Sequence, residues 1–519
     1  MSPAVARRAG ARWRGALLSA VALAACTTDH GVRTISADQP APSTTGAPPT
    51  TAASPTTEPP PEPPPEPAPD STDQTTPPDP ADEPDLASAG DSLYPDVGNA
   101  DIDVVHYDVR IAYDPAVAVI EGHVTIALTA TADLDAIVLD AVDVGVESVA
   151  VGGTAATFTT SSDELVIDVP AAAGDEVVVD IEYRDTSATR SGAFGLDIGW
   201  FTTPNGAYVL NEPEGLRTWM PAHDHPSDKA TWHFELTVPS ELAGIANGAQ
   251  SPPVSDGDDT TWIWDQRDPM ATYLVQLLIG EYTVVDGGMA GDTPLVHVAL
   301  TDDIEQMQPY FDATAAQVAF FESVFGPYPL DRYGLAFTES YPGLAMETQG
   351  RSMFSSEDFP GTMGFLEELL LSHELAHQWF GDAVSPADWS DLWLNESFAT
   401  YGQWLWFDHQ RIGPLESNAD FALALRQEAG SEPTGSPSVD NLFGFERYDG
   451  GAVVLHALRR QVGDEAFFEI LQRWVADNDG TSRTSAHFIA LAEEVTAADL
   501  GPFFDDWLYA AQVPAAYPS

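Results

Sequence analysis

The chain has 519 residues, enough for two or three domains of ordinary size, and its 44% hydrophobic and 10% aromatic content excludes wholesale disorder. Against 81 acidic residues stand only 20 Lys and Arg, a formal net charge of −61, and such a surface repels phosphate backbones, which argues against nucleic-acid partners. A single cysteine excludes an internal disulfide and any cysteine-based metal cluster.

In chain order, a basic region ending at Arg14 is followed by an apolar stretch over 15–25 and then Cys26. That stretch falls short of the roughly 20 residues needed to cross about 30 Å of hydrocarbon, so it reads as a secretory signal over 1–25. Leu23-Ala24-Ala25-Cys26 resembles a bacterial lipobox, which implies cleavage before Cys26 and lipidation of its thiol. A plain signal with an incidental Cys26 is the alternative. The lipobox resemblance implies export and a lipid anchor to the cell membrane on its extracytoplasmic face. Residues 26–93 hold 17 prolines between Pro40 and Pro84 among Thr, Ser, Ala, Asp and Glu, the composition of a disordered, extended tether. A Pro-rich recognition ligand is the weaker reading of 59–69.

From 94 to 298 the texture is β. Segments 104–112, 122–128 and 176–183 are short and rich in Val, Ile, Thr and Tyr, and turn residues separate them at intervals that suit a sandwich or saddle-shaped sheet. From 299 to 519 the periodicity turns helical over 307–324, 362–380, 392–410, 451–462, 465–477 and 484–493, with room for a few strands. The expected fold is multidomain α+β, an N-terminal β domain followed by a mostly helical domain.

The chemistry concentrates in the second of these expected helices and its successor. In His373-Glu374-Leu375-Ala376-His377 the two histidines are four apart on a helix, about 6 Å between Cβ atoms, and so share one face. That spacing lets both imidazoles bind one tetrahedral zinc, and Glu374 is placed to take a proton from a water the metal polarises. With this composition only about 0.04 such matches arise by chance. Glu396, in Trp393-Leu394-Asn395-Glu396, follows after a polar, turn-like stretch that lets a second helix return beside the first. Two imidazoles and one carboxylate leave zinc an open position, the pattern of a catalytic site.

The motif with Glu396 resembles the gluzincin aminopeptidases of the aminopeptidase N type. The resemblance extends to Glu-Pro-Glu-Gly-Leu-Arg-Thr-Trp-Met-Pro-Ala-His-Asp-His-Pro-Ser-Asp-Lys at 212–229, to Ala345-Met346-Glu347, to Tyr448-Asp449-Gly450-Gly451-Ala452 and to Pro502-Phe503-Phe504-Asp505-Asp506-Trp507. It covers about 104–518 and implies a thermolysin-like zinc peptidase domain with one zinc ion per chain. It also implies a zinc aminopeptidase that removes N-terminal residues from peptides bearing a free N-terminus. Carried over residue by residue, His373, His377 and Glu396 hold the metal, Glu374 is the general base and Tyr448 donates to the oxyanion. Glu347 and Glu212 bind the substrate's α-ammonium, and Ala345 and Met346 line its path. Without the resemblance, Tyr448 reads equally as a packing residue and either Glu as a surface acid.

The sequence departs from the family pattern at Thr348, where Asn is usual, at Leu344, where a small residue is common, and at Gly450, where Lys is common. The chain also stops soon after the expected catalytic domain, so a large C-terminal helical domain is expected to be missing and the cleft less covered. Two rivals stay open at this point. One is a zinc endopeptidase or other hydrolase on the same scaffold, the other a non-catalytic surface binding protein.

Overall fold

Alternation of buried and exposed side chains organises the first half. The strand Ile102–Asp114 buries Ile102, Val104, Tyr107, Val109, Ile111 and Tyr113, and a register shift between Val104 and His106 resets the phase. The computed structural model describes residues 88–186, 189–192, 197–429 and 432–519. The signal segment, Cys26 and nearly all of the expected tether therefore lie outside the described residues. Residues 88–93, grouped with the tether by composition, are folded onto the body: the Asp91 carboxylate accepts from the backbone of Leu93, Tyr94 and Trp389.

In the eight-stranded sheet the order is Ala249–Asp256, Asp259–Ala271, Lys229–Pro239, Ile102–Asp114, Val119–Ala130, Glu176–Thr186, Val146–Val151 and Thr154–Ala155. Only Ile102–Asp114 and Lys229–Pro239 run parallel, and Tyr107 stacks on Trp232 across that pair at 4.0 Å. Beside it lies a five-stranded sheet ordered Ala243–Ala246, Leu277–Gly280, Gly206–Leu210, Asp197–Thr203 and Thr189–Ser191. One buried core spans both sheets and takes in Leu344, Met346 and Trp389 from the second half of the chain.

The second half contains α1 (Ile304–Phe325), α2 (Phe365–His377), α3 (Trp393–Gln410), α4 (Leu415–Ala429), α5 (Asp449–Val462), α6 (Asp464–Asn478), α7 (Ser485–Thr496) and α8 (Gly501–Trp507). The first two pack on a mixed sheet ordered Tyr282–Ala290, Thr293–Leu300, Leu335–Thr338, Ser352–Ser355 and Ala345–Met346, and the later helices pack mainly on one another. The fold is thus a sheet-rich N-terminal domain followed by a helical domain, as expected. The boundary expected at 298/299 cuts through a strand, because Thr293–Leu300 pairs in parallel with Leu335–Thr338 and so belongs to the second sheet. Two helices escaped the periodicity reading. In α4 the inward stripe mixes Leu415 and Leu423 with two alanines (Ala419, Ala422) and a buried Arg426, which blurs the apolar signal, and α8 spans only seven residues. Among the described residues no helix is long and apolar enough to cross a membrane.

The N-terminal domain grips the loop between α2 and α3. The Lys229 ammonium donates to the carbonyls of Asp382 (2.5 Å) and Ala383 (3.1 Å). Tyr273 donates to Gly381 O at 3.1 Å and accepts from Asn395 Nδ2 at 3.1 Å, while Ser92 donates twice to the Asp388 carboxylate.

Candidate active site

Helix α2 buries Leu371, Leu375 and Ala376 on its inner side and presents His373 and His377 from one face. Gly381, at φ +131°, then reverses the chain where a Cβ would lie 3.3 Å from the Asn395 amide. Helix α3 returns against α2, and Gly402 permits the close approach, since a Cβ there would sit 2.9 Å from that of Ala376. Glu396, in the first turn of α3, is thereby brought to both histidines.

Its Oε2 lies 3.1 Å from His373 Nε2 and 3.5 Å from His377 Nε2. A tetrahedral zinc with ligands near 2.05 Å separates its donors by about 3.3 Å, which both Glu396–imidazole separations match, and the three ligand atoms all lie within 4.8 Å of one another. His377 Nδ1 donates to Phe380 O at 3.1 Å, which orients the ring so that Nε2 faces Glu396. His373 is hydrogen-bonded to Gln403. Glu347, Glu374 and His377 form a second group of closely spaced donors that shares His377 with the first.

The cleft is lined by Glu212, Glu347, Glu374 and Glu396 together with His373, His377 and Tyr448, on an apolar wall that includes Ile198, Leu210 and Phe443. No Lys or Arg is among its described lining residues. Burial and the neighbouring carboxylates push Glu374 and Glu212 well above the ordinary range, and burial raises Glu347 as well. Burial acts on Glu396 in the same direction, but the His377 charge and hydrogen bonds from both imidazoles outweigh it and hold this carboxyl at about 2. Burial lowers His373, whereas in His377 the pull of Glu347 and Glu396 outweighs burial and raises the ring well above its usual value. Carboxyl groups outnumber the basic side chains lining the cleft, an excess that protonation or a bound cation relieves.

All the site residues read from the sequence within the described region converge here. Ala345–Met346 forms the outermost strand of its sheet, paired on one side with Ser352–Ser355, and delivers Glu347 at its end. Glu347 is buried, and its Oε1 has no hydrogen-bond partner among the described residues. The same holds for Oε1 of Glu212, which follows the strand Gly206–Leu210 in the N-terminal domain. Tyr448 caps α5, its ring stacked on His373 at 6.0 Å between centroids. Thr348 is held by Gln276 Nε2 (2.8 Å) and itself donates to Arg351 O (2.5 Å), so this departure from the family pattern fixes the exit of the edge strand. Sequence reasoning missed Gln378, whose side-chain amide donates to Glu347 O (3.0 Å) and accepts from Gly350 N (2.8 Å), and Gln403. Gln378 directly follows His377, the one signal that could have drawn attention to it.

Two family profiles match the chain: the Peptidase family M1 domain over residues 310–507 and the Peptidase M1 N-terminal domain over residues 104–274. A Probable aminopeptidase 2 from Sulfurisphaera tokodaii is 24% identical over 445 residues, 80% of this chain and 55% of its own. A Leucyl aminopeptidase from Saccharolobus solfataricus is 26% identical over 404 residues, 72% of this chain and 50% of its own. The chain spans about half the length of the curated relatives it matches. The crystal structure of an M1 zinc metallopeptidase from Deinococcus radiodurans superposes with a TM-score of 0.76 at 29% identity, covering 83% of this chain and 99% of that one. A mutant of that enzyme bound to a Tyr-Ser-Ala substrate matches with a TM-score of 0.75 at 28% identity, covering 83% and 99%.

Proposed function

Because this chain belongs to peptidase family M1, we propose that it is a zinc aminopeptidase that removes N-terminal residues from peptides with a free amine. His373, His377 and Glu396 would hold one zinc ion per chain. When bound, the ion supplies Lewis-acid polarisation and a nucleophile competent at neutral pH.

The chain's own groups divide the remaining work. The Glu374 carboxylate takes a proton from the attacking water and returns it to the leaving amine. The Tyr448 hydroxyl donates to the oxygen that gains charge as the scissile carbonyl becomes tetrahedral. The open edge of Ala345–Met346 offers backbone donors and acceptors to an extended peptide. Glu212 and Glu347 receive the α-ammonium, and their carboxylates are the observation that carries the reading: two buried oxygens in the same cleft, neither with a hydrogen-bond partner among the described residues, match one cation. An internal peptide nitrogen brings no charge to that place. The named aminopeptidase relatives and the peptide-bound Deinococcus neighbour support the same substrate class.

The test is a panel of aminoacyl reporter amides, each beside its N-acetylated twin, with zinc added and a Glu374→Gln control. Turnover confined to free amines and lost in the control is the expected result. Equal turnover of both forms would replace this reading with an endopeptidase. Silence across the panel would leave a binding protein.

For location, the run 15–25 and Cys26 support a lipid anchor outside the cytoplasm, with the Pro-rich stretch as its spacer. Cys26→Ser should move the protein from the membrane to the soluble fraction; unchanged membrane association would rule the anchor out.

A further inference from the structure

A phenol that is to meet a transient oxyanion must be fixed in advance, yet Tyr448 follows a segment, 432–447, whose one helical element is the 3-10 turn Val439–Asn441. That segment is folded around two buried guanidinium groups. Arg447, the residue before Tyr448, donates Nε to Leu442 O (3.0 Å), Nη1 to Pro433 O (3.3 Å) and Nη2 to Asn441 O. Its Nη2 also lies 3.5 Å from Glu432 and 3.9 Å from Glu446. Arg426, from α4, reaches Glu446 Oε1 at 3.3 Å and donates to Glu432 O at 2.6 Å. The Asn441 amide donates to both carboxylates, at 3.0 and 3.3 Å.

The backbone of Arg447 is tied down as well. Ser397 Oγ donates to Arg447 O at 2.5 Å, and Ser397 directly follows Glu396 on α3. The start of α5 closes so tightly on this contact that a Cβ on Gly451 would fall 1.7 Å from Ser397 Oγ. A Cβ on Gly450 would stand 3.3 Å from Arg426 Cδ. Buried ion clusters gain little stability over an apolar core of equal volume, but they permit one geometry only.

We propose that Ser397 and Arg447 are positioning residues for Tyr448: the guanidinium shapes the segment before it, and the Ser397 hydroxyl pins the last peptide of that segment to the helix bearing Glu396. The phenol is thereby set against His373 before substrate arrives. This inference rests on the oxyanion role of Tyr448 proposed above.

A double-mutant cycle tests it. Tyr448→Phe is expected to lower kcat about 100-fold. Ser397→Ala and the gentler Arg447→Lys should each lower kcat about tenfold, with KM within about twofold and zinc retention against a chelator unchanged. In the Tyr448→Phe background neither should cost anything more. Equal losses in both backgrounds, no loss in the wild-type background, or faster zinc loss from Ser397→Ala would overturn the inference, the last by showing action through Glu396. A Tyr448→Phe variant with full kcat would instead overturn the oxyanion role itself.

Discussion

The two walls of the cleft are built on different plans. His373, His377 and Glu396 come from consecutive helices, with Glu396 Oε2 3.1 and 3.5 Å from the two imidazoles, and are already engaged with one another and with Phe380 and Gln403. Glu212 and Glu347 come from two sheets in two domains, and each keeps a buried carboxylate oxygen unpartnered. A wall whose donors converge suits a cation that stays. A wall whose carboxylates each keep an oxygen without a hydrogen bond among the described residues suits a cation that comes and goes with the substrate.

Breaking the first wall should have the largest effect. His377→Ala removes one of three protein ligands, so zinc retention and turnover should both collapse, and metal analysis after gel filtration checks this. An active, zinc-replete His377→Ala would mean the ion sits elsewhere. Glu374→Gln keeps the ligand set and removes only the proton carrier, so kcat should fall about 10³-fold with zinc content unchanged. Loss of zinc from this variant would make Glu374 a ligand instead. Breaking the second wall should be milder and selective. Glu347→Gln should cost about 3 kcal/mol in kcat/KM toward free amines and nearly nothing in zinc content.

The smallest effect sharpens the comparison from outside the cleft. His297 is also buried, and its Nε2 has no hydrogen-bond partner among the described residues, but its ring stacks on Phe311 at 4.4 Å, outside the cleft. Burial, with Arg351 nearby, lowers it to about 3. Its folded value lies below the unfolded one near 6.5, so its contribution to stability is full above about pH 6.5 and is lost as pH falls toward 3, up to about 5 kcal/mol. His297→Gln keeps an acceptor for Leu335 N and does not titrate, so its unfolding midpoint should depend less steeply on pH between about 6 and 4. An identical slope in both proteins would remove His297 from the account.

The same division marks what the sequence disclosed. The first wall was legible because helix spacing is local: His373 and His377 need only 3.6 residues per turn to meet, and Glu396 needs only a short return. Glu212, Glu347 and Tyr448 came through resemblance alone, since nothing local says that the end of Gly206–Leu210 faces the end of Ala345–Met346. Strand texture placed the N-terminal sheet, but the strand Thr293–Leu300 looked the same whichever sheet it joined. The cluster around Arg426 and Arg447 was invisible because charged residues read as surface until the chain has folded around them.

The most direct measurement compares kcat/KM for one leucyl reporter amide and its N-acetyl form in the wild type and in Glu347→Gln. A wild-type preference for the free amine of roughly 100-fold or more, collapsing in the variant, is the predicted result. A wild-type ratio near one, or a large ratio that survives Glu347→Gln, would contradict the claim that these unpartnered carboxylates read the substrate's amine.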